Sequence, residues 1–226
     1  IVIDAHHFGE RAPRGLGGVP ESFDPFDLGI MDFAEIEKRV REQLYLGVRQ
    51  LNWAGTTWMG LNYWDDSRCV DYLMSRPEVD PKRIGALGMS MGSTMAWWHA
   101  ALDERIRLCI DICCLTDFQS LIEAGGLDGH GIYYYVPGLL KRFTTSDINA
   151  LICPRPHLSL AGNLDSLTPA PGLDRVDETL RKTYAAAGVP DRWMMHREDV
   201  GHTETPEMRA EAARWLERWL VRSDER

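Results

Sequence analysis

The sequence has no apolar run near the roughly 18 residues that a membrane-crossing helix needs, and no charged-then-apolar leader at its start. Nothing in it is expected to span a membrane or direct export. It has no CxxC spacing: its five cysteines, Cys69, Cys109, Cys113, Cys114 and Cys153, are odd in number, and three lie in or beside apolar runs. They read as reduced, buried thiols, which points to a cytoplasmic setting. Positive charge is the scarcer sign. The 25 Lys and Arg against 34 Asp and Glu give a formal net charge of -9, a field that repels polyanions. Nucleic acid and anionic membrane are therefore excluded as expected partners, and a small or neutral substrate is favoured. Repeats, low-complexity tracts and Pro/Ser-rich linkers are also lacking, so residues 1–226 read as one domain. There is no initiator Met: the chain opens on Ile1-Val2-Ile3-Asp4, already inside a β-branched strand, and residues upstream of it are expected.

What is present alternates between two periodicities. After the opening strand, a Gly/Pro-rich loop from Phe8 to Leu28 is long enough for a surface or site-rim role. Helices are expected over Phe33–Leu46 and Leu61–Ser75, the second with Trp64, Cys69, Tyr72 and Leu73 at its apolar positions. Ile84–Met89, Arg107–Cys113 and Pro156–Ala161 are short apolar runs that read as buried parallel strands. Met91–Leu102 and Arg175–Ala187 read as helices, and Arg192–His196 as a strand. In the final helix, Thr205 is the N-cap and Pro206 the first helical residue, and Met208, Ala212, Trp215 and Trp219 recur at core-facing spacing. The charge run from Arg214 to Arg226 reads as a solvated helix face and a frayed tail. Strands alternating with helices define an α/β fold with a mostly parallel sheet flanked by helices. The glycine-rich stretch 119–145 is a candidate small lid.

Gly88-Met89-Ser90-Met91-Gly92 matches G-x-S-x-G directly after an expected strand and directly before an expected helix. That is the context in which the motif has physical meaning. A sharp turn needs little bulk around the serine and pushes its hydroxyl out of the sheet. The Met91 N–H at the helix N-terminus then faces a developing oxyanion. A serine needs a base to take its proton, and an imidazole suits that task. His202, in the loop Asp199-Val200-Gly201-His202-Thr203, follows the last strand and is the best placed. Asp165, in the loop after the strand Pro156–Ala161, is the carboxylate that would orient it. Asp174 and Asp177 are rivals that fall at or inside the next helix. The chain order Ser90, Asp165, His202 is the one this strand-turn-helix arrangement uses.

Beyond the elbow, several segments carry a resemblance that runs over nearly the whole chain. They are Phe8-Gly9-Glu10-Arg11, Trp64-Asp65-Asp66, Asp71-Tyr72-Leu73, Ser75-Arg76-Pro77-Glu78-Val79-Asp80-Pro81, Arg83-Ile84-Gly85, Ile152-Cys153-Pro154-Arg155-Pro156 and Gly201-His202. Together they resemble the dienelactone hydrolase and acetyl xylan esterase branch of the α/β-hydrolases. The resemblance implies an α/β-hydrolase fold, a triad of Ser90, Asp165 and His202, no cofactor, and cleavage of carboxylic esters, with acetyl esters of sugars among the candidates. Two departures matter. Dienelactone hydrolases carry cysteine where this chain carries Ser90, which favours the esterase side. The family also has an earlier strand ending in a His-Gly-type turn that supplies a second oxyanion N–H. This chain lacks that strand, which would otherwise cover an apolar sheet edge.

Other residues carry less. Asp4, His6 and His7 lack a second ligand group, so no metal is expected. His99 reads as a packed helix residue and His157 as core. His130, with Tyr133, Tyr134 and Tyr135, either lines a substrate pocket or belongs to an aromatic patch on the lid. Arg11 either meets an acidic group of the substrate or makes an ion pair with its surroundings. Trp97, Trp98, Trp215 and Trp219 sit at helical core positions. The expected partner is a small-molecule ester; a peptidase of the same fold and a hydrolase-fold binding protein without turnover are the rivals.

Overall fold

The computed structural model describes residues 45–221. The opening strand, the Phe8–Leu28 loop, most of the Phe33–Leu46 helix, Asp4, His6, His7, Arg11 and the tail after Val221 lie outside the described residues. Residues 45–53 are helical. The elements that follow are α1 (Trp58–Met74), β1 (Gly85–Met89), α2 (Met91–Leu102), β2 (Leu108–Ile112), α3 (Phe118–Glu123), α4 (Thr145–Ala150), β3 (His157–Gly162), α5 (Ala170–Ala186), β4 (Trp193–Glu198) and α6 (Pro206–Leu216). Three single-turn 3₁₀ segments occupy the stretch between α3 and α4.

The four strands form one parallel sheet in the order β1-β2-β3-β4, each strand returning through helices. The continuous apolar runs predict burial on both faces, and the two central strands are buried at every residue. Alternation along them separates two cores. Leu108, Ile110, Ile112, Leu158 and Leu160 pack with Met208, Ala212 and Trp215 of α6. Cys109, Trp193 and Met195 face the other way, toward Trp97, Leu173, Val176 and Tyr184. On this second face Asp111, His157 and Ser159 are buried polar residues. They bond to one another: Asp111 Oδ2 lies 2.7 Å from His157 Nε2, and Ser159 Oγ donates to Asp111 Oδ1 at 2.8 Å.

β1 is the edge strand among the described residues, with Leu87 54% and Met89 39% exposed. This is the edge that the earlier strand implied by the family resemblance would cover. A cleft of about 380 Å³ runs along it, between Asn62, Cys69 and Val70 of α1 and Met91, Gly92 and Met95 of α2.

Three local expectations need correction. α1 starts at Trp58 rather than Leu61, because the Thr57 hydroxyl accepts the Gly60 N–H at 2.9 Å and caps the helix. Its buried face is Trp58, Met59, Asn62, Ser67 and Val70, whereas Trp64 and Tyr72 are 59% and 54% exposed. Those rings instead lie under the Arg68 and Arg76 guanidinium groups, at 4.4 and 5.6 Å. α5 starts at Ala170 rather than Arg175: Pro171 and Gly172 look like breakers, but proline in the first helical turn forfeits no intrahelical hydrogen bond.

Candidate active site

Four loops leave the carboxyl end of the sheet, and each brings a polar or reactive group to the same place. Ser90 follows β1, Cys113 follows β2, Asp165 follows β3 and His202 follows β4. Ligands of parallel sheets bind at this end.

Ser90 is the N-cap of α2 with φ 56° and ψ -118°. A non-glycine residue at positive φ is costly and persists only where its surroundings hold it. Two backbone bonds hold this one: Ser90 N–H donates to the Ile112 carbonyl at 2.8 Å, and Thr94 N–H donates to the Ser90 carbonyl at 3.1 Å. The turn is so tight that a Cβ on Gly88 would lie 2.1 Å from the Gly92 carbonyl oxygen. A Cβ on Gly92 would meet nothing within 4 Å among the described residues. The demand for small bulk that the motif suggests for both glycines therefore falls on Gly88, which must admit the backbone of Gly92. Met91 is the first residue of α2, where helical N–H groups have no intrahelical partner.

The Asp165 and His202 loops are zipped together by backbone. Asn163 N–H donates to the Glu198 carbonyl at 2.7 Å and Leu164 N–H to the Val200 carbonyl at 3.0 Å. At Gly162 the two chains approach so closely that a Cβ would stand 2.3 Å from the Val200 carbonyl oxygen. Asn163 Nδ2 donates to Asp199 at 2.6 Å, and Arg197 Nε donates to Asn163 Oδ1 at 2.7 Å, adding a side-chain clasp. The result is a linear relay: His202 Nε2 lies 2.8 Å from Ser90 Oγ, and His202 Nδ1 lies 2.7 Å from Asp165 Oδ2. Asp165 is buried, and its Oδ1 accepts the Leu167 N–H at 2.9 Å. The rivals are engaged elsewhere: Asp174 pairs with Arg197, and Asp177 binds Trp193 Nε1 and Arg181.

Two of the residues read as substrate contacts fall among the described residues. His130 is buried, its ring stacks on Tyr134 at 4.1 Å, and Nε2 donates to the Leu167 carbonyl at 2.8 Å. Burial holds its pKa below 6.5, so it is a neutral prop beneath the Asp165 loop rather than the wall of an open pocket. Tyr133 is half-buried and packs edge-on against Tyr134 at 6.1 Å. Cys113 escaped the sequence reading as a site residue. It has φ 60°, and its thiol donates to the Thr203 carbonyl, one residue past His202, at 3.3 Å. Burial, reinforced by the charge of Asp165, pushes its thiol up to about 11, so it is protonated. Its place at a strand end was legible in the sequence, whereas its positive φ is revealed only by the fold.

Among known proteins, the family described as Acetyl xylan esterase (AXE1) matches residues 57–149. A relative from Bacillus subtilis (strain 168), named "Putative hydrolase YtaP", is 49% identical over 166 residues, which are 74% of this chain and 56% of that protein. Two solved structures share the fold. One is a carbohydrate esterase family 15 glucuronoyl esterase from Caldicellulosiruptor kristjansonii, with TM-score 0.61, 22% identity, and coverage of 74% of this chain and 51% of that one. The other is the glucuronoyl esterase catalytic domain from Hypocrea jecorina, with TM-score 0.61, 19% identity, and coverage of 74% and 52%. The chain thus spans little more than half the length of these proteins. With a parallel sheet flanked by helices and a strand-turn-helix serine, the chain has the α/β-hydrolase fold and is similar to these esterases.

Proposed function

We propose that this protein is a serine carboxylic ester hydrolase, with Ser90 as nucleophile, His202 as general base and then acid, and Asp165 as the carboxylate that orients the imidazole. The observation that carries this reading is the unbroken Asp165–His202–Ser90 hydrogen-bond relay, with steps of 2.7 and 2.8 Å, at the head of a parallel sheet. Ser90 Oγ attacks the ester carbonyl carbon while its proton passes to His202 Nε2. The Met91 N–H stabilises the oxyanion, with the positive end of α2 behind it. Collapse of the tetrahedral intermediate breaks the bond to the alcohol oxygen, which takes the proton from His202. Water, deprotonated by His202, then attacks the acyl-serine and releases the carboxylic acid and free Ser90. Within this reading the substrate is a small ester, and acetyl esters of sugars are the leading class. The buried cysteines support a cytoplasmic location.

The test is covalent labelling by a fluorophosphonate, together with turnover of a nitrophenyl acetate and of an amino-acyl anilide. Labelling that maps to Ser90 and vanishes in Ser90→Ala, with acetate hydrolysed and anilide spared, is the expected result. Full esterase activity in Ser90→Ala would overturn the assignment of the nucleophile. Preference for the anilide would move the protein to the peptidases of this fold.

A further inference from the structure

We propose that Cys113, Asp165 and His202 also form a binding site for a soft divalent cation, of which zinc and cadmium are the representative ions, and that its occupancy inhibits the enzyme. One sulfur, one carboxylate oxygen and one imidazole nitrogen from these residues all lie within 4.8 Å of one another. This is a mixed sulfur, nitrogen and oxygen donor set of the kind zinc takes, with thiolate adding preference for softer ions. Ligands at about 2.0–2.3 Å from a tetrahedral ion stand roughly 3.3–3.8 Å apart, so side-chain adjustments of about 1 Å would close the site around a cation.

The fold holds all three donors from different strands. Cys113 directly follows β2 at φ 60°, and Asp165 and His202 sit in the two zipped loops after β3 and β4. Entry is from the imidazole, whose side chain is 29% exposed, leaving the fourth ligand position for water. A second trio of the same residue types, Cys109, Asp111 and His157, shows why access decides. All three of its members are buried, whereas in the first trio His202 is exposed. An ion from solvent reaches the first trio and not the second.

Binding would replace the Cys113 S–H···O contact to Thr203 by a sulfur–metal bond, with the thiol proton released to solvent. It would also place the cation between His202 Nδ1 and the Asp165 carboxylate, the two groups now joined at 2.7 Å, with the Nδ1 proton moving to Nε2, which then no longer accepts from Ser90. The imidazole would then be fixed and unable to carry a proton from Ser90. Inhibition therefore rests on the triad reading above, whereas binding does not.

Cadmium chloride added to the full chain is the probe, with two readouts: the thiolate-to-cadmium charge-transfer absorption in the ultraviolet, and the rate of nitrophenyl acetate turnover. In the wild type both should respond at the same cadmium concentration, and a chelator should reverse both. Cys113→Ala should lose the band, and its turnover should resist cadmium at least tenfold better, since removing a direct ligand exceeds the roughly 10–100-fold cost of losing an outer-shell partner. Cys153→Ala, which removes a different thiol, should behave as wild type. If Cys113→Ala does not fold, Cys113→Ser, which keeps the shape but offers a poor ligand to cadmium, should show the same loss. Equal cadmium response in wild type and in the folded Cys113 variant overturns the site. A wild type that shows the Cys113-dependent band but no ester turnover leaves the site standing and overturns the catalytic reading.

Discussion

At the residue scale, the chemistry depends on a few atoms whose positions the backbone dictates. Asp165 illustrates this: with one oxygen on the Leu167 N–H and the other on His202, it can fix the imidazole in one tautomer only while it is a carboxylate acceptor. Asp165→Asn preserves shape but offers an amide, so kcat should fall on the order of 10⁴-fold with little change in KM. Steady-state kinetics check this, and a fall below tenfold would remove Asp165 from its role. Gly162 is a different case, because it has no chemistry and was invisible as a site residue. Its missing side chain lets the His202 loop lie against the end of β3, with the Val200 and Gly201 carbonyl oxygens 2.3 and 2.6 Å from where a Cβ would be. Gly162→Ala must push the two loops apart. A displacement near 1 Å at the base should cost roughly 10²-fold in kcat, together with a lower melting temperature, while fluorophosphonate labelling slows in parallel.

At the element scale, β2 and β3 show how polar residues are accommodated in a buried sheet. The parallel register pairs Cys109 with His157 and Asp111 with Ser159, placing all four side chains on one face. Removing the central acceptor by Asp111→Ala leaves His157 and Ser159 buried without their partner and should destabilise by about 3–5 kcal/mol. Urea denaturation reads this directly, and Asp111→Asn, which keeps an acceptor oxygen, should cost less. The sequence identified His157 as core but gave no sign of its partner, since Asp111 and His157 meet only through strand pairing. Element positions were legible wherever a cap or an apolar run was local. α2 occupies Met91–Leu102 and α6 starts at Pro206 on the Thr205 cap, both as expected, with the Thr205 hydroxyl accepting the Met208 N–H at 3.0 Å. Legibility failed where tertiary packing chose the face. The aromatic residues of α1 suggest an apolar stripe through Trp64 and Tyr72, yet the buried side runs through Met59, Asn62 and Val70.

At the scale of the whole molecule, buried histidines couple stability to acidity. Burial lowers the pKa of both His99 and His130 below 6.5, outweighing the nearby Asp103 carboxylate for His99 and the Leu167 carbonyl and Asp165 for His130. A histidine whose folded pKa is depressed contributes stability that is complete above its unfolded value and is lost as pH falls through the folded one. Stability should therefore decline as pH drops from about 7 toward 5. That precedes the titration of carboxylates such as Asp71, held below 3.8 by its Arg105 hydrogen bond, and Asp80, held there by the Lys82 N–H. Urea midpoints at a series of pH values measure this, and a flat profile between 7 and 5 would contradict it.

The sequence alone determined the class of fold and the order of the reactive residues, because apolar periodicity and the G-x-S-x-G turn are local properties that short stretches of chain express unaided. Tertiary structure decided which carboxylate faces His202, that Cys113 joins it, that His130 props a loop instead of lining a pocket, and that Gly162 is indispensable. Those outcomes depend on distances between strands far apart in sequence. Such distances are set by sheet register and by the packing of helices against it, which no single segment encodes.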